Sequence, residues 1–251
     1  MKILAITQAR YGSSRLPGKI LKTIGEKTLL EIHLRRILHA KNITELKIAT
    51  TTEDGAEHII AIGNKCGVKS YQGSVDDVLE RFYETALPEN PDYVVRLTSD
   101  CPLIDPNIID QVIDECIKND VDYCSNTIFP TFPDGLDVEV FRFSALEKAF
   151  NEAQLKSDRE HVTPYIWRNS NLKEGSIFTS FNVEYTTDYS DLRITVDTEK
   201  DFRLIEQLIE QLGADKPWLG YVEFLNQHSE VRMINSEFLR NEGYQKSIYN
   251  D

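Results

Sequence analysis

Apolar and polar residues alternate along the first half of the chain with two different periods. Short apolar runs with strand periodicity occupy residues 2–7, 45–50, 68–71, 93–97 and 121–124. Between them, apolar residues recur at helical spacing over 29–38, 54–66, 75–87 and 105–117, with Asp54 as a candidate N-cap of the second helix. Repeated strand–helix alternation with short loops predicts an α/β fold, in which a doubly wound, mostly parallel sheet is covered by helices on both faces.

The pattern is weaker after about residue 126. Strands are predicted at 135–141, 176–183 and 192–196, and helices at 145–152, 161–168, 202–212 and after Pro217. In the first of these strands Asp137 and Glu139 lie on one side. The chain has 251 residues, of which 41% are hydrophobic, which is enough for one sizeable core. We therefore expect a single domain over residues 1–251.

Composition and charge argue against several classes of protein. The formal net charge of −13 does not suit a protein that coats nucleic acid or an anionic membrane surface. No apolar run approaches the ~20 residues that span a bilayer, and the apolar stretch at the start is too short for a signal-peptide core. The four cysteines form no C-x-x-C pair and no zinc-spaced cluster, which indicates free thiols in a reducing cytoplasm.

The loop after the first strand is the most informative stretch for chemistry. In parallel sheets ligands bind beyond the carboxyl ends of the strands. We call residues 9–19 the basic turn, and its charged and small residues are Arg10, Gly12, Ser13, Ser14, Arg15, Gly18 and Lys19. Residues 1–36 hold eight Lys or Arg against two Glu, although the chain as a whole is acidic. Flexible backbone N–H groups and guanidinium groups bind phosphate oxygens, so we expect a phosphate site, with a solvated surface loop as the alternative.

Two standard phosphate motifs are missing from the basic turn. A P-loop needs four residues between its glycines and Ser or Thr after the lysine. Here five residues separate Gly12 from Gly18, and Ile20 follows Lys19. The sequence also contains no G-x-G-x-x-G. It therefore argues against a P-loop NTPase and against a dinucleotide-binding dehydrogenase.

Two aspartates are candidate ligands for a divalent cation. Asp100 follows the strand at 93–97, where an ion bridging phosphates would lie, or else it caps the turn before Pro102. Mg²⁺ usually takes one or two protein carboxylates together with phosphate oxygens and water. Asp197 precedes a helix, so it is either an N-cap or a second ligand for the same ion. Spacing alone does not bring the two together.

Other polar groups give weaker signals. Asp76, Asp77, Glu80 and Arg81 on one predicted helix are typical of a solvated charged face, with ligand contact as the alternative. His161, in a polar stretch that leads into a helix, is a weak catalytic candidate. No nucleophile–base pair stands out, which suits a reaction that depends on positioning and on neutralising charge.

Five ordered stretches of this sequence resemble one family. They are Q-A-R…S-S-R-L-P-G-K at 8–19, R-L-T-S-D-C-P-L-I-D at 96–105, G-L-D-V-E-V-F at 135–141, R-E-H-V-T-P-Y-I at 159–166 and L-R-I-T-V-D-T at 192–198. Together they resemble the CMP-sugar-acid synthetases, namely the Kdo and acylneuraminate cytidylyltransferases. The similarity is greatest to the group typified by the spore-coat polysaccharide biosynthesis protein F. It covers nearly the whole chain to about residue 212.

The resemblance implies a fold of the nucleotide-diphospho-sugar transferase type and a cytidylyltransferase activity. CMP would pass from CTP to an acceptor of the 2-keto sugar acid class with release of pyrophosphate, in surface polysaccharide biosynthesis. Mg²⁺, with Mn²⁺ as the alternative, would be held by Asp100 and Asp197. The resemblance further implies a cytoplasmic homodimer, with residues 126–170 as a candidate insertion for acceptor binding or dimerisation. It does not specify which sugar acid is the acceptor.

The resemblance also implies roles for individual residues. The catalytic residues would be Arg15, Lys19 and Asp100. The nucleotide-binding residues would be Gln8, Ala9, Arg10, Gly12, Ser13, Arg15, Lys19, Arg81 and Arg96. The acceptor-binding residues would be Asp137, Glu139, Arg159 and His161. No general base is identified in this way.

Two departures from the family pattern and two alternative functions accompany this interpretation. Ser99 replaces the glycine that precedes the metal aspartate in many relatives, and Lys200 replaces a glutamate after Asp197. A metal-dependent glycosyltransferase would use a ready-made sugar nucleotide, although the usual Asp-x-Asp is missing around Asp100. A non-catalytic nucleotide-binding scaffold is the other alternative. Release of pyrophosphate from CTP and an acceptor separates all three.

Overall fold

The structure, a computed structural model, describes residues 1–13, 15–249 and 251. Its strands are β1 (Ile3–Gln8), β2 (Thr23–Ile24), β3 (Lys27–Thr28), β4 (Glu45–Thr51), β5 (Lys69–Gly73), β6 (Tyr93–Thr98), β7 (Tyr123–Ser125), β8 (Glu139–Arg142) and β9 (Ser180–Asn182). Its α-helices are α1 (Leu29–Ile37), α2 (Ala56–Lys65), α3 (Val78–Ala86), α4 (Pro106–Lys118), α5 (Phe143–Glu152), α6 (Lys156–His161), α7 (Pro164–Arg168), α8 (Glu199–Leu212), α9 (Trp218–Gln227), α10 (Ser229–Arg232) and α11 (Glu242–Ile248). Short 3₁₀ turns lie at Lys19–Leu21, Leu87–Glu89 and Asn171–Lys173.

One seven-stranded sheet organises the fold, in the order β5-β4-β1-β6-β8-β7-β9. β5, β4, β1 and β6 are parallel, β8 runs antiparallel between β6 and β7, and β9 is parallel to β7. The strand order reverses beside β1, because the chain reaches β4 and β5 on one side of β1 and β6 on the other. The prediction of an α/β fold with a mostly parallel, doubly wound sheet is confirmed. Ligands of such sheets bind at this reversal, beyond the carboxyl ends of β1 and β6.

Alternate side chains of each central strand are buried on opposite faces of the sheet. On β1, Ile3 and Ala5 belong to the core formed with α1, α2, α4, α8 and α9, whereas Leu4 and Ile6 pack towards α3, α5 and α7. Burying one such aliphatic side chain contributes roughly 1.5–3 kcal/mol to folding. The sheet is therefore fixed from both sides and forms a rigid support for the loops at its carboxyl edge.

The elements predicted in the first half are present, with boundaries shifted by a few residues. The prediction that Asp54 caps α2 is wrong, because the N-cap position is taken by Gly55 at φ 94°, in the left-handed region that glycine adopts without steric cost. α3 starts later than predicted, at Val78, because the Asp77 carboxylate accepts the hydrogen bond that caps it. Both changes lie in loops at the carboxyl edge of the sheet.

The strands predicted in the second half are shorter than expected. Those predicted at 135–141 and 176–183 shrink to β8 and β9. Residues 192–196, predicted as a strand, form only an isolated bridge between Asp134 and Arg193. Close approach of the two segments at this bridge requires Gly135, because a Cβ there would lie 2.6 Å from the backbone of Ile194.

Residues 126–170 contribute to the main sheet and to the layer on one of its faces. β8 is an internal strand, and α5 and α7 pack over the core that also contains α3. The single helix predicted at 161–168 is wrong. Val162 adopts φ 73°, which a β-branched residue rarely does, so α6 ends there and α7 starts at Pro164. The role of this segment in dimerisation stays a prediction.

Two general features complete the fold. In the part of the chain that the structure describes, no helix has the length and apolar content needed to cross a bilayer. Cys101, Cys116 and Cys124 are buried and Cys66 is half-buried, each as a free thiol.

Candidate active site

A cavity of about 1160 Å³ opens beyond the carboxyl ends of β1 and β6. It is lined by the basic turn, the start of α3, the loops after β6 and β7, α6 and the segment around α11. All of the site residues predicted from the sequence line this cavity except Gly12. The volume is slightly larger than the about 300–1,000 Å³ that is usual for small-molecule sites, which suits two substrates bound side by side.

The basic turn is clamped against the loop that follows β4. The Gly12 N–H donates to Glu53 Oε1 at 2.7 Å. The Tyr11 ring lies over Gly55, where an added Cβ would meet the ring at 2.5 Å. The N–H of Gly12 is therefore directed at Glu53 and away from the cavity. Ser14 of the basic turn lies outside the described residues.

Lys19 joins the two aspartates that the sequence singles out. Its Nζ donates to Asp100 Oδ2 at 3.2 Å, to Asp197 Oδ1 at 2.8 Å and to the carbonyl of Val196 at 2.8 Å. The Val196 N–H donates in turn to the Asp100 carbonyl at 2.8 Å, which ties the two loops together. Arg15 Nη2 lies 2.9 Å from Asp197 Oδ2. Two carboxylates that are distant in the sequence thus meet at one ammonium group beside the basic turn.

Asp197 is available to the cavity because it does not cap α8. The N-cap is Thr198, which forms a capping box with Asp201, so the N-cap alternative for Asp197 is wrong. Arg193 holds this end of the site through ion pairs to Asp134 at 2.6 Å, to Asp201 at 2.9 Å and to Asp197 at 3.2 Å. The carboxylate of Asp197 is therefore oriented by Arg193 on one side and by the basic turn on the other.

We call Lys19, Asp100 and Asp197 the Lys19 cluster. Lys19 and Asp100 are both ionised at neutral pH. Burial alone would raise the pKa of Asp100, but the Lys19 ammonium and hydrogen bonds from Thr98 and Cys101 outweigh it and hold that pKa well below its usual range. Burial likewise opposes the charged form of Lys19, but Asp100 and Asp197 outweigh it and raise the pKa of Lys19. The Lys19 ammonium therefore lies beside the ionised carboxylate of Asp100.

The two carboxylates fit a hard divalent cation. They already converge on one point of positive charge, the Lys19 ammonium. Within residues 1–13, 15–249 and 251, no group of three or more His, Cys, Asp or Glu could hold a metal ion by itself. A cation bound by Asp100 and Asp197 would therefore complete its coordination with phosphate oxygens and water, which is the usual arrangement for Mg²⁺. The assignment of these residues to a metal stays a prediction.

Two arginines at the basic-turn end of the cavity have no carboxylate within ion-pair distance among residues 1–13, 15–249 and 251. Arg10 is exposed and makes no hydrogen bond or ion pair with any residue that the structure describes. Arg81 is only 2% exposed; its Nη1 donates to the Ser74 carbonyl at 2.8 Å, while its Nε is buried without a partner. Burial and the neighbouring Arg10 lower the pKa of Arg81 to about 10. The interpretation of Arg81 as part of a solvated face is wrong, and its under-paired charge marks a place for an anion.

At the other end of the cavity, Glu139 is enclosed by donors. Glu139 and Arg96 face each other in the register of β6 and β8 and form an ion pair. Glu139 Oε1 accepts from the Tyr123 hydroxyl at 2.6 Å and from the Thr163 hydroxyl at 2.5 Å. Arg96 Nε donates to Gln8 Oε1 at 3.3 Å. This carboxylate therefore holds its neighbours in place.

Residues 239–249, which we call the C-terminal strap, contribute to the lining of the cavity. Arg240 of the strap forms an ion pair with Asp137. Burial raises the pKa of Asp137, with Arg240 opposing the shift. Glu242 lies 3.7 Å from Arg15. The strap thus contacts residues predicted for both substrates.

His161 and Arg159 extend from α6 towards the strap and α3. His161 Nε2 lies 2.9 Å from the hydroxyl of Ser247, and burial together with the nearby Arg96 lowers the pKa of His161. Arg159 donates from Nε and Nη2 to Asp77 Oδ2 at 2.8 and 2.5 Å, which ties α6 to the N-cap of α3. The roles of His161 and Arg159 in acceptor binding stay predictions.

The sequence interpretation missed two residues that position the Lys19 cluster. One is Arg193, which the sequence could have indicated because it is a single charged residue within the apolar run 192–196. The other is buried His33, whose ring contacts the Thr7 hydroxyl and the Cys101 carbonyl, each at 2.8 Å. A carbonyl only accepts, so Nδ1 carries the proton and Nε2 accepts from Thr7. Burial lowers the pKa of His33 to about 4, so this neutral ring supports the turn that carries Asp100.

Comparison with known proteins agrees with this geometry. Residues 4–236 match the family model described as cytidylyltransferase. The chain is 32% identical over 216 residues to the spore coat polysaccharide biosynthesis protein SpsF of Bacillus subtilis, covering 84% of this chain and 88% of that protein. The chain belongs to the cytidylyltransferase family. The resemblance stated from the sequence is thereby confirmed for the family and for nucleotidyltransferase activity.

Two further relatives extend the comparison of this cytidylyltransferase. A solved cytidylyltransferase from Leptospira borgpetersenii serovar Hardjo-bovis is 32% identical, with a TM-score of 0.88, covering 96% of this chain and 100% of that chain. The 3-deoxy-manno-octulosonate cytidylyltransferase of Geobacter metallireducens is 28% identical over 245 residues, covering 86% of this chain and 94% of that protein. The fold therefore matches that of a solved member of the family over nearly its whole length.

Proposed function

We propose that this cytidylyltransferase transfers CMP from CTP to a hydroxyl of a sugar-acid acceptor and releases pyrophosphate. The observation that carries the proposal is the meeting of Asp100 and Asp197 at Lys19, beside the basic turn and beyond the carboxyl ends of β1 and β6. This cluster combines cations for phosphates with carboxylates for a metal ion. The acceptor class is supported by the activity named for the relative from Geobacter metallireducens.

The reaction is a displacement at the α-phosphorus of CTP. The acceptor hydroxyl oxygen forms the new bond to phosphorus and its proton passes to solvent water. The bond between the α-phosphorus and the bridging oxygen breaks, and pyrophosphate leaves with the negative charge. Arg10, Arg15 and Lys19 would neutralise that charge, because fixed cations stabilise a leaving group that becomes more anionic in the transition state. Asp100 and Asp197 would hold Mg²⁺ or Mn²⁺, which when bound would supply further charge neutralisation at the phosphates. Lys19 would then exchange its carboxylate partners for phosphate oxygens.

We further propose a cytoplasmic homodimer that serves surface polysaccharide synthesis. The polysaccharide role is supported by the name of the relative from Bacillus subtilis, and the cytoplasmic setting by free thiols and a nucleoside triphosphate substrate. Phe129, in the 126–170 segment, and Ile177 are 45% and 46% exposed close to the edge strand β9. Such apolar side chains at a sheet edge suit contact with a second copy of the chain.

The test is an assay of pyrophosphate release by the purified protein with Mg²⁺. Each of the four nucleoside triphosphates is combined with 3-deoxy-manno-octulosonate, its 8-amino-8-deoxy form and N-acetylneuraminate. We expect release only with CTP together with an acid. Release with another triphosphate, or release of a nucleotide from a ready-made sugar nucleotide instead, contradicts the proposal.

A further inference from the structure

A row of three polar side chains crosses the floor of the cavity from β1 to β8. In the register of the sheet, Arg96 on β6 pairs with Ile6 on β1 and with Glu139 on β8, and Gln8 lies one strand away at the end of β1. Arg96 bonds to both polar neighbours, through Nε to Gln8 and through Nη1 to Glu139. All three line the cavity. In the described residues, no side-chain hydrogen bond or ion pair joins this row to Lys19, Asp100 or Asp197.

The chemistry of arginine fixes the orientation of the Gln8 amide. Arginine has donors but no acceptor, so the amide oxygen of Gln8 must face Arg96. The amide NH₂ of Gln8 must then point away from Arg96. As far as the described residues show, neither this NH₂ nor Nη2 of Arg96 has a hydrogen-bond partner. The floor therefore presents N–H donors from two adjacent side chains.

Glu139 holds the other two side chains of the row in place. Only 6% of Glu139 is exposed, and its carboxylate is shared among Arg96, the Tyr123 hydroxyl and the Thr163 hydroxyl. A carboxylate with three donors cannot rotate without breaking one of these bonds. Arg96 is consequently fixed, and Gln8 through it. Donors held in place before binding lose little conformational freedom when a ligand arrives.

The complement of two adjacent donors is a group with two adjacent acceptor oxygens. Arg96 and Glu139 neutralise each other. Among the described residues, Arg10 and Arg81 have no carboxylate within ion-pair distance, so those two arginines attract a triphosphate more strongly than the row does. A single carboxylate satisfies both donors through charge-assisted hydrogen bonds. We propose that Gln8 and Arg96 bind the carboxylate of the acceptor and that Glu139 is the positioning residue for both. This rests on the proposed function and moves Gln8 and Arg96 from the nucleotide to the acceptor.

The experiment compares a sugar acid with its uncharged methyl ester. For each acid that the wild type uses, kcat/KM of pyrophosphate release is measured with the acid and with the ester. We expect the wild type to prefer the acid by about a hundredfold or more. Gln8→Met keeps the length of the side chain but removes the donor, so the preference should fall about tenfold, with KM raised for the acid and unchanged for CTP.

A second variant removes the ion pair without leaving a buried charge. In the double variant Arg96→Met/Glu139→Gln the amide still accepts from Tyr123 and Thr163, so no unpaired carboxylate is buried. We expect the preference for the acid to fall to less than tenfold. Gln72→Met is the matched control, because Gln72 donates to the Thr51 carbonyl outside the cavity. That variant should keep the preference of the wild type.

The outcomes distinguish this inference from the proposed function. If the wild type uses an acid and both cavity variants keep its preference for the acid, the inference is wrong and the proposed function stands. A rise in KM for CTP with no change for the acid overturns it as well, since Gln8 and Arg96 would then serve the nucleotide. If the wild type releases pyrophosphate with none of the acids, the sugar-acid acceptor fails first, and the carboxylate site fails with it.

Discussion

The two ends of the cavity hold charge in opposite ways. Beside the basic turn, Arg10 and Arg81 have no carboxylate within ion-pair distance among the described residues, and one nitrogen of Arg81 is buried without any partner. At the floor, Glu139 is surrounded by donors and fixes Arg96. An unpaired cation gains a partner when an anion binds, whereas Glu139 already has its donors and serves to keep the geometry of Arg96. The end at the basic turn therefore supplies binding energy, and the floor around Glu139 and Arg96 supplies selectivity.

The largest expected effect comes from the carboxylates that contact Lys19 of the basic turn. In Asp100→Asn the charge that balances Lys19 and would hold the metal ion is lost, while the shape is kept. We expect kcat to fall about a hundredfold, equivalent to about 3 kcal/mol, with a small change in Tm. Asp191→Asn is the matched control, because Asp191 pairs with Arg232 on an exposed surface. Normal turnover of CTP by Asp100→Asn would show that the site is misplaced.

The second prediction concerns His33, whose two ring nitrogens are both hydrogen-bonded and which supports the turn that carries Asp100. The pKa of His33 is about 4 in the folded protein and about 6.5 when unfolded, so the unfolded chain binds the proton first as the pH falls. The contribution of His33 to stability is complete above about pH 6.5 and is lost towards pH 4. We expect the stability advantage of the wild type over His33→Gln to shrink by about 2 kcal/mol between pH 7 and pH 5.

Urea unfolding of both proteins at the two pH values measures this difference. Taking the difference between wild type and variant removes the contributions of other titrating groups. His58→Gln is the control for the substitution itself, since His58 is exposed on α2. An advantage that stays constant or grows on acidification contradicts a neutral, buried His33.

The third prediction separates binding from stability at Arg81. Replacing a buried and under-paired arginine with an apolar side chain of similar length removes a desolvation cost. We expect Arg81→Met to keep or raise Tm and to weaken CTP binding about tenfold, equivalent to about 1.4 kcal/mol. Calorimetric titration with CTP and Mg²⁺ and a thermal melt give the two quantities, with the exposed Arg203→Met as control. A lower Tm with unchanged CTP affinity would assign Arg81 to the structure instead.

The same contrast explains which parts of the site the sequence could predict. The basic turn and Asp100 are recognisable because they directly follow strands whose pattern is clear, and parallel strands end at one edge of a sheet. The fold class follows from the same alternation. Asp197 could not be separated from an N-cap, because that choice depends on whether Thr198 forms the capping box, which local propensity leaves open.

The contacts of Glu139 could not be predicted from the sequence, for a different reason. Glu139 lies on a strand whose pattern was visible, but its partners Tyr123 and Thr163 come from β7 and from the break between α6 and α7. Nothing local indicates that these hydroxyls meet one carboxylate. Arg81 shows the reverse error, since charged neighbours on its helix suggested a solvated face while tertiary packing buries it. Networks built from non-local contacts need coordinates.

The smallest expected effect tests whether Glu242 competes with the nucleotide for Arg15. Glu242 of the C-terminal strap lies 3.7 Å from Arg15, and both side chains are about one-third exposed (31% and 38%), so the pair is weak and screened by salt. A triphosphate bound to Arg15 would compete with it. We expect Glu242→Gln to tighten CTP binding two- to threefold at low ionic strength and to have no effect at about 0.5 M salt. Glu237→Gln removes a charge paired with Lys200 elsewhere on the surface and should change CTP affinity less. An equal gain in both variants would mean that net charge, and not the contact with Arg15, controls the affinity, and the strap would then lie over the site without competing for the nucleotide.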